Sequence, residues 1–379
     1  MEAWNGQNSS KKSAMSSKTI RVALIGLGGV CAQVHYPGFS RIPRVEIVGI
    51  CDPDASMREN RSREWRIEAC FEDVDDLLRE IQPDAVVIAT PNCMHKPLIL
   101  KALAAGSHVL CEKPLGMNFQ ETKEILEAAQ KTKLRHMTAF TYRFVPAMNY
   151  IRHLVHNGVL GEIRHARFQR LQDWGERAIG WRQYYQQAGS GELGDMGIHR
   201  IDFAEDLLGP ITSLCAHTKQ WAARDLTKSG KPCPPQDVED WVAWIGQFEN
   251  GATGVFEMGK LTKGFGPRGD HDQAELNGTK ASAVYQLHNP HQILFSNRGE
   301  SYQIRPVPTE FLKRSDSPRD PNEGDPLIRF RYDQAWEFMS AIREDRECTP
   351  SFYHGMRAQA VADAILEAAD SRKWIDVKV

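Results

Sequence analysis

The feature that most constrains this chain is a series of short aliphatic segments near its start, TIRVALI, VEIVGIC, DAVVIAT, HVLCE and RHMTAF, separated by stretches with helical spacing. Each segment is apolar throughout rather than on alternate residues. That suits strands buried on both faces, and strands that alternate with helices build a parallel sheet covered on both sides. Residues 19–140 are therefore expected to form a doubly wound α/β domain.

After residue 140 the pattern changes. A helix near Pro146–Asn157, a strand near Ile163–Gln172 and a helix near Gly197–Leu208 precede WVAWIGQF, GATGVFEM, ASAVYQL and QILFS, which are punctuated by Asn-Gly and Asn-Pro turn signals. These predict an α+β second domain over residues 141–379, with a large, mostly antiparallel open sheet and helices on one face. A chain of 379 residues can support two such cores. Residues 305–326 carry five prolines and no periodicity, and read as a loop serving as a lid or a subunit contact. Two terminal helices are expected at Asp333–Arg343 and His354–Ser371. The second has an apolar stripe at Met356, Ala360, Ile365 and Ala368 and should pack back near the first domain.

Charge and composition narrow the partners. A net charge of -2 gives no basic field for nucleic acid or an anionic membrane, and no stretch of 18 apolar residues offers a membrane span. The first 18 residues are polar and Ser/Lys-rich, read as a disordered arm without a secretory signal. Eight scattered cysteines (Cys31, Cys51, Cys70, Cys93, Cys111, Cys215, Cys233 and Cys348) show neither CxxC pairing nor zinc-ligand spacing. Reduced thiols in a cytoplasmic protein, no metal, and a small-molecule partner are the expectations.

The first strand runs into Gly26-Leu27-Gly28-Gly29-Val30-Cys31. In such a loop Gly26 permits the tight turn, while Gly28, Gly29 and Val30 bring backbone toward a pyrophosphate at a helix start. Cys31 stands where a third small residue would allow the closest packing. Asp52 ends the second strand, where a carboxylate can bind an adenosine ribose and disfavour a 2′-phosphate, so NAD is expected over NADP. Asp52 could instead cap the next helix, and Arg58 or Arg61 could fold back onto a phosphate.

Two further strand ends carry polar residues at the carboxyl edge, where α/β sheets bind ligands: Thr90-Pro91-Asn92 with His95, and Glu112-Lys113-Pro114. A lysine directly after a buried strand is paired or used, unless it is only a surface residue before a proline. The glycine-rich GSGELGDMGIHRID places Asp195 and His199 four residues apart at a helix entry. On one helical face the carboxylate would orient the imidazole and raise its basicity, as a general base requires, although this spacing also occurs in plain helix caps.

Together these segments resemble the Gfo/Idh/MocA oxidoreductases, the relatives of glucose-fructose oxidoreductase and inositol dehydrogenase. The resemblance covers about residues 20–377 and rests on GLGGVC, Asp52, TPNCMH, Glu112-Lys113-Pro114, Tyr142-Arg143 and GSGELGDMGIHRID. It implies a catalytic set of Lys113, Asp195 and His199. His199 would take a hydroxyl proton as hydride passes to the nicotinamide, Lys113 would hydrogen-bond the substrate oxygen, and Asp195 would hold His199 or a second hydroxyl. It also implies Glu112 near the nicotinamide ribose, with Asn92 and His95 beside the cofactor.

Tyr142, Arg143, Trp174, Trp181, Arg182 and Asp202 mix aromatic planes with multidentate donors, which suits a polyhydroxylated ring. His288 is a weaker candidate, and Trp241 and Trp244 read as core. The resulting expectation is NAD-dependent oxidation of a ring hydroxyl on a sugar, glycoside or cyclic polyol, C3 of a glucoside among the choices, with nucleotide exchanged or retained between turnovers. Alternatives are an NAD-dependent glycosidase acting by transient oxidation and elimination, or a non-catalytic nucleotide sensor. The open sheet suggests a homo-oligomer, dimer or tetramer.

Overall fold

The computed structural model describes residues 18–173, 180–222, 224–227, 229–266 and 271–379. Two sheets organise them. The first is six-stranded and parallel, built from β1 (Ile20–Ile25), β2 (Val45–Cys51), β3 (Cys70–Phe71), β4 (Ala85–Ile88), β5 (His108–Cys111) and β6 (His136–Thr138), in the order β3-β2-β1-β4-β5-β6. Order reverses beside β1, so the ends of β1, β2 and β4 open a crevice at the carboxyl edge. Val22 and Leu24 face one apolar cluster while Ala23 and Ile25 face another, which explains why these strands read as continuous apolar runs. The two-residue β3 at the sheet edge is too short to leave a sequence pattern.

The second sheet has nine strands: β7 (Ile163–Leu171), β8 (Ile211–Lys219), β9 (Trp241–Phe248), β10 (Thr253–Gly259), β11 (His271–Gly278), β12 (Ala281–Gln286), β13 (Gln292–Asn297), β14 (Gln303–Pro306) and β15 (Ile375–Asp376). Their order is β14-β13-β12-β11-β7-β10-β9-β8-β15, antiparallel except where β10 runs parallel to β7. One face is covered by helices, with Phe352–Ser371 against β8, Ile198–Leu208 against β7 and Pro146–His156 against β12. The strand β11 escapes sequence analysis because Asp272 occupies an inward position, breaking the apolar alternation completed by Ala274 and Leu276. Trp244 is core, stacked 4.5 Å from Phe256, but Trp241 lies half-buried on the open face beside Trp221, which corrects its reading as core.

The helix Phe352–Ser371 joins the halves. Its stripe residues Met356, Ala360, Ile365 and Ala368 are all buried, and Phe352 stacks on His136 at the end of the parallel sheet. Asp363 on the same helix accepts a hydrogen bond from the Phe119 N–H at 2.7 Å. The segment 305–326 is mostly irregular, yet it is tied down: buried Asp333 accepts from Ser317 Oγ at 2.7 Å and pairs with Arg319 at 2.8 Å. All eight cysteines are free thiols, and no helix among the described residues is long and apolar enough to cross a membrane.

Gly26 fixes the crevice. Its φ is +85°, and a Cβ there would meet the Ala89 carbonyl carbon and oxygen at 2.7 Å. Gly26→Ala combines strain with a backbone clash and should cost on the order of 2 kcal/mol or more. Chemical denaturation measures this, and an unchanged midpoint would show that the loop can relax.

Candidate active site

At the crevice the glycine-rich loop leads into a π-type turn, Cys31–His35, and a short helical stretch, Tyr36–Phe39. Cβ atoms at Gly28 and Gly29 would meet no protein atom within 4 Å, so the backbone there is open to a ligand. Asp52 lies beside the loop, its carboxylate accepting from the Leu27 N–H at 2.8 Å and the Asp54 N–H at 3.0 Å. The helix after β2 is capped by Asp54. Arg58 donates to the carbonyls of Asp52 and Pro53, and Arg61 pairs with Glu64 and stacks 5.3 Å over Trp65. Thr90 packs against Gly26, its methyl carbon 2.9 Å from where a Cβ would stand. This loop, with its adjacent carboxylate, fits a dinucleotide.

The neighbouring strand ends are tied by buried side chains. His95 is fully buried, with one ring nitrogen 2.7 Å from the Pro114 carbonyl and the other 3.1 Å from that of Thr90. It fastens the ends of β4 and β5, and burial lowers its basicity. Asn92 donates to the Ala188 carbonyl at 2.8 Å, fastening β4 to the glycine-rich segment of the second half. Glu112 pairs with His35 at 2.8 Å. Burial would raise its carboxyl, but the hydrogen bond and charge of His35 outweigh this and hold it below the usual range.

Lys113 reaches from the end of β5 to the π-type turn Leu193–Gly197, where its ammonium contacts both the Asp195 carbonyl and carboxylate, the latter at 3.2 Å. Arg182 approaches the same carboxylate at 3.7 Å while stacking 4.3 Å over Trp181. Burial acts against the Asp195 charge, but Lys113, Arg182 and Lys260 prevail and lower its pKa to about 2. Asp195 is thus committed to two cations instead of raising the basicity of His199. The His199 Nδ1 makes no hydrogen bond among the described residues, and the ring lies edge-on to Tyr142 at 4.7 Å. Burial first, then Lys113, Arg200, Arg331 and Arg170, push the imidazole well below its usual pKa. The imidazole is thereby held toward its neutral form.

The other substrate candidates divide. Tyr142 is buried against His199, and half-buried Trp181 stands with Arg182 beside Asp195. Arg143 is turned inward, bonded to both oxygens of Asp202 at 2.7 Å and to Asp206 at 2.7 Å. Its donors and the Asp202 carboxylate are taken up in packing the Ile198–Leu208 helix. His288 sits in the turn between β12 and β13, and Trp174 lies outside the described residues.

Several neighbours carry no sequence signal of their own. Glu239 accepts from the N–H groups of Gly191 and Leu193 at 2.8 and 2.9 Å, clamping the glycine-rich segment, and a Cβ on Gly191 would collide with its carbonyl. Glu192 is buried with an unpartnered Oε1; burial and the nearby Asp195 charge raise its pKa to about 8. Arg170 and Arg200 converge on buried Asp272, and the Arg200 guanidinium lies 4.8 Å over Tyr142. Only the glutamate within GSGELGD could have been suspected, as a carboxylate inside an otherwise small-residue run.

Comparison with known proteins identifies the family. Residues 20–140 match the model of the Gfo/Idh/MocA oxidoreductase family, NAD-binding Rossmann fold, and residues 148–284 match the Gfo/Idh/MocA C-terminal domain. D-glucoside 3-dehydrogenase of Escherichia coli is 34% identical over 63% of this chain and 70% of its own. The chain belongs to the Gfo/Idh/MocA oxidoreductases. Levoglucosan dehydrogenase of Pseudarthrobacter phenanthrenivorans is 29% identical over 95% of this chain and 98% of its own. A solved levoglucosan dehydrogenase in complex with NADH and levoglucosan superposes with a TM-score of 0.87 at 27% identity, covering 95% of this chain and 99% of that one. This member of the family accordingly carries an NAD-binding Rossmann fold.

Two outcomes follow from the buried charges. Arg143→Met leaves buried Asp202 without its partner, while Asp206 keeps Arg152, and should lower unfolding free energy by about 3–5 kcal/mol; altered substrate KM at unchanged stability would instead make Arg143 a substrate ligand. Glu192 keeps its proton in the fold between its ordinary pKa and about 8 while the unfolded chain releases it, so it makes stability fall with rising pH across that window and level off above. Glu192→Gln should flatten that slope in melting curves taken from pH 5 to 9, and identical slopes would refute the protonated state.

Proposed function

We propose that this family member oxidises a ring hydroxyl of a sugar, glycoside or cyclic polyol with NAD. The observation that carries this reading is the convergence of Lys113, Asp195 and His199 between the two sheets, beside the open glycine loop. NAD, when bound, supplies the hydride acceptor. The protein's own groups do the rest. Neutral His199 accepts the hydroxyl proton, and the Lys113 ammonium donates to the same oxygen and stabilises its developing negative charge. Asp195 holds Lys113 and Arg182 in position, while Trp181 offers an aromatic face to the C–H side of a ring.

Asp52 supports NAD over NADP, since its carboxylate beside the glycine loop would repel a 2′-phosphate, and the neighbouring Arg58 and Arg61 already donate to the Asp52 and Leu27 carbonyls and pair with Glu72 and Glu64. The names of the relatives, levoglucosan dehydrogenase and D-glucoside 3-dehydrogenase, support a carbohydrate substrate. Residues 19–140 then serve as the nucleotide-binding domain and 141–379 as the substrate and assembly domain. Ile245 and Val255, exposed on the open sheet, support a homo-oligomer.

Purified protein assayed with NAD against a sugar, glycoside and polyol panel should reduce the nucleotide. Lys113→Ala and His199→Ala should each lower kcat by roughly a hundredfold or more while NAD binding, followed by fluorescence titration, persists. Near-normal turnover in both variants would remove the mechanism.

A further inference from the structure

The cations around His199 are not equally provided for. Lys113 and Arg182 share Asp195, Arg170 and Arg200 share Asp272, and Lys260 lies 3.8 Å from Asp240. Arg331, at the start of the helix Tyr332–Glu344, makes no ion pair among the described residues. Its Nε is buried without a hydrogen-bond partner, as is that of Arg200, but unlike Arg200 and Arg170 it has no carboxylate among the described residues, and its terminal nitrogen meets the Tyr142 hydroxyl at a long 3.5 Å. The guanidinium rests 5.6 Å from the Tyr142 ring centre and 5.8 Å from that of Phe330. Tyr142 in turn lies edge-on to His199, so Arg331 stands one aromatic ring away from the proton acceptor.

A half-buried guanidinium without a carboxylate is costly, and stacking on two rings offsets that only partly. Its planar fork matches a carboxylate or phosphate bidentately. We infer that Arg331 binds an oxyanion carried by the substrate, so that the preferred substrates are sugar acids or sugar phosphates rather than neutral sugars. This rests on the dehydrogenase reading above and narrows its substrate class. The bound anion also offsets the repulsion that Arg331 exerts on a protonated His199, so binding the right substrate strengthens the base that acts on it.

The test compares methyl glucoside, methyl glucuronoside and glucose 6-phosphate as substrates of the NAD-supplied enzyme, with calorimetric binding of the same compounds in parallel. Wild-type protein should favour at least one anionic compound over methyl glucoside by tenfold or more in kcat/KM, and the two anionic arms distinguish carboxylate from phosphate. Arg331→Gln should shrink that ratio by roughly ten- to a hundredfold, the range for a hydrogen bond to a charged group. Arg331→Lys, which keeps the charge but loses the fork, should restore part of it. An equal ratio in wild type, or a ratio unchanged in a folded Arg331→Gln protein, overturns the assignment while leaving the dehydrogenase reading intact. If none of the compounds is oxidised, selective binding of the anions lost in Arg331→Gln still upholds the Arg331 site, whereas absent or unselective binding overturns it; failure to oxidise the wider panel counts against the dehydrogenase reading separately.

Discussion

The contact between Lys113 and Asp195 brings the two halves of the molecule to a common centre. Lys113 is delivered by the end of a buried parallel strand, and Asp195 by a π-type turn at the head of a helix packed on the other sheet. Burial works against the Asp195 charge, and of the cations that offset it Lys113 comes first, then Arg182 and Lys260. The surrounding bonds preserve the meeting point: Asn92 ties the β4 end to Ala188, His95 ties the β4 end to Pro114, and Glu239 clamps the backbone on either side of Glu192. The crevice is thus held from both sides by buried hydrogen bonds as well as by the shape of the sheets.

That arrangement gives His199 an unusual position. With Asp195 drawn toward Lys113 and Arg182, no carboxylate among the described residues is bonded to the imidazole, and its packing partners are the rings of Phe140 and Tyr142. Steric contact fixes its plane, and burial first, then the surrounding positive charge, lowers its basicity. On the reading proposed above, a neutral imidazole and a nearby ammonium would divide the work: the lysine would stabilise an oxyanion while the histidine received the proton. The cations that lower the basicity of His199 would at the same time favour that oxyanion.

Most of what the sequence revealed concerns positions whose residue type is dictated locally. Continuous apolar strands announced the parallel sheet, Gly26 announced a turn that no other residue can make without strain, and Lys113 stood out because ammonium groups seldom follow core strands. What stayed hidden is set by long-range packing. Arg143 looked like a substrate ligand because its two carboxylate partners lie some sixty residues away, and β11 looked polar because Asp272 serves buried arginines from other elements. The i, i+4 spacing of Asp195 and His199 suggested a pair on one face. It could not reveal that a lysine 82 residues upstream claims the carboxylate first.

The buried polar layer beneath Tyr142 explains why the second sheet tolerates charge inside. Arg170, Asp272 and Arg200 connect β7, β11 and the helix that bears His199, so a strand-to-helix contact that could have been made by aliphatic side chains is made by ions. Such a cluster is a weak source of stability compared with well-packed hydrophobes, since the desolvation of three charges consumes much of their attraction. Its effect falls elsewhere. Arg200 lies against one ring that touches the imidazole, and Arg331 lies against the same ring from the segment that enters the penultimate helix. Positive potential is thereby built up around His199, where it acts in a low-dielectric setting and is screened little by solvent. The positive potential around His199 thus comes from Lys113 at the end of the first sheet and from Arg200, Arg331 and Arg170 in the second half of the chain.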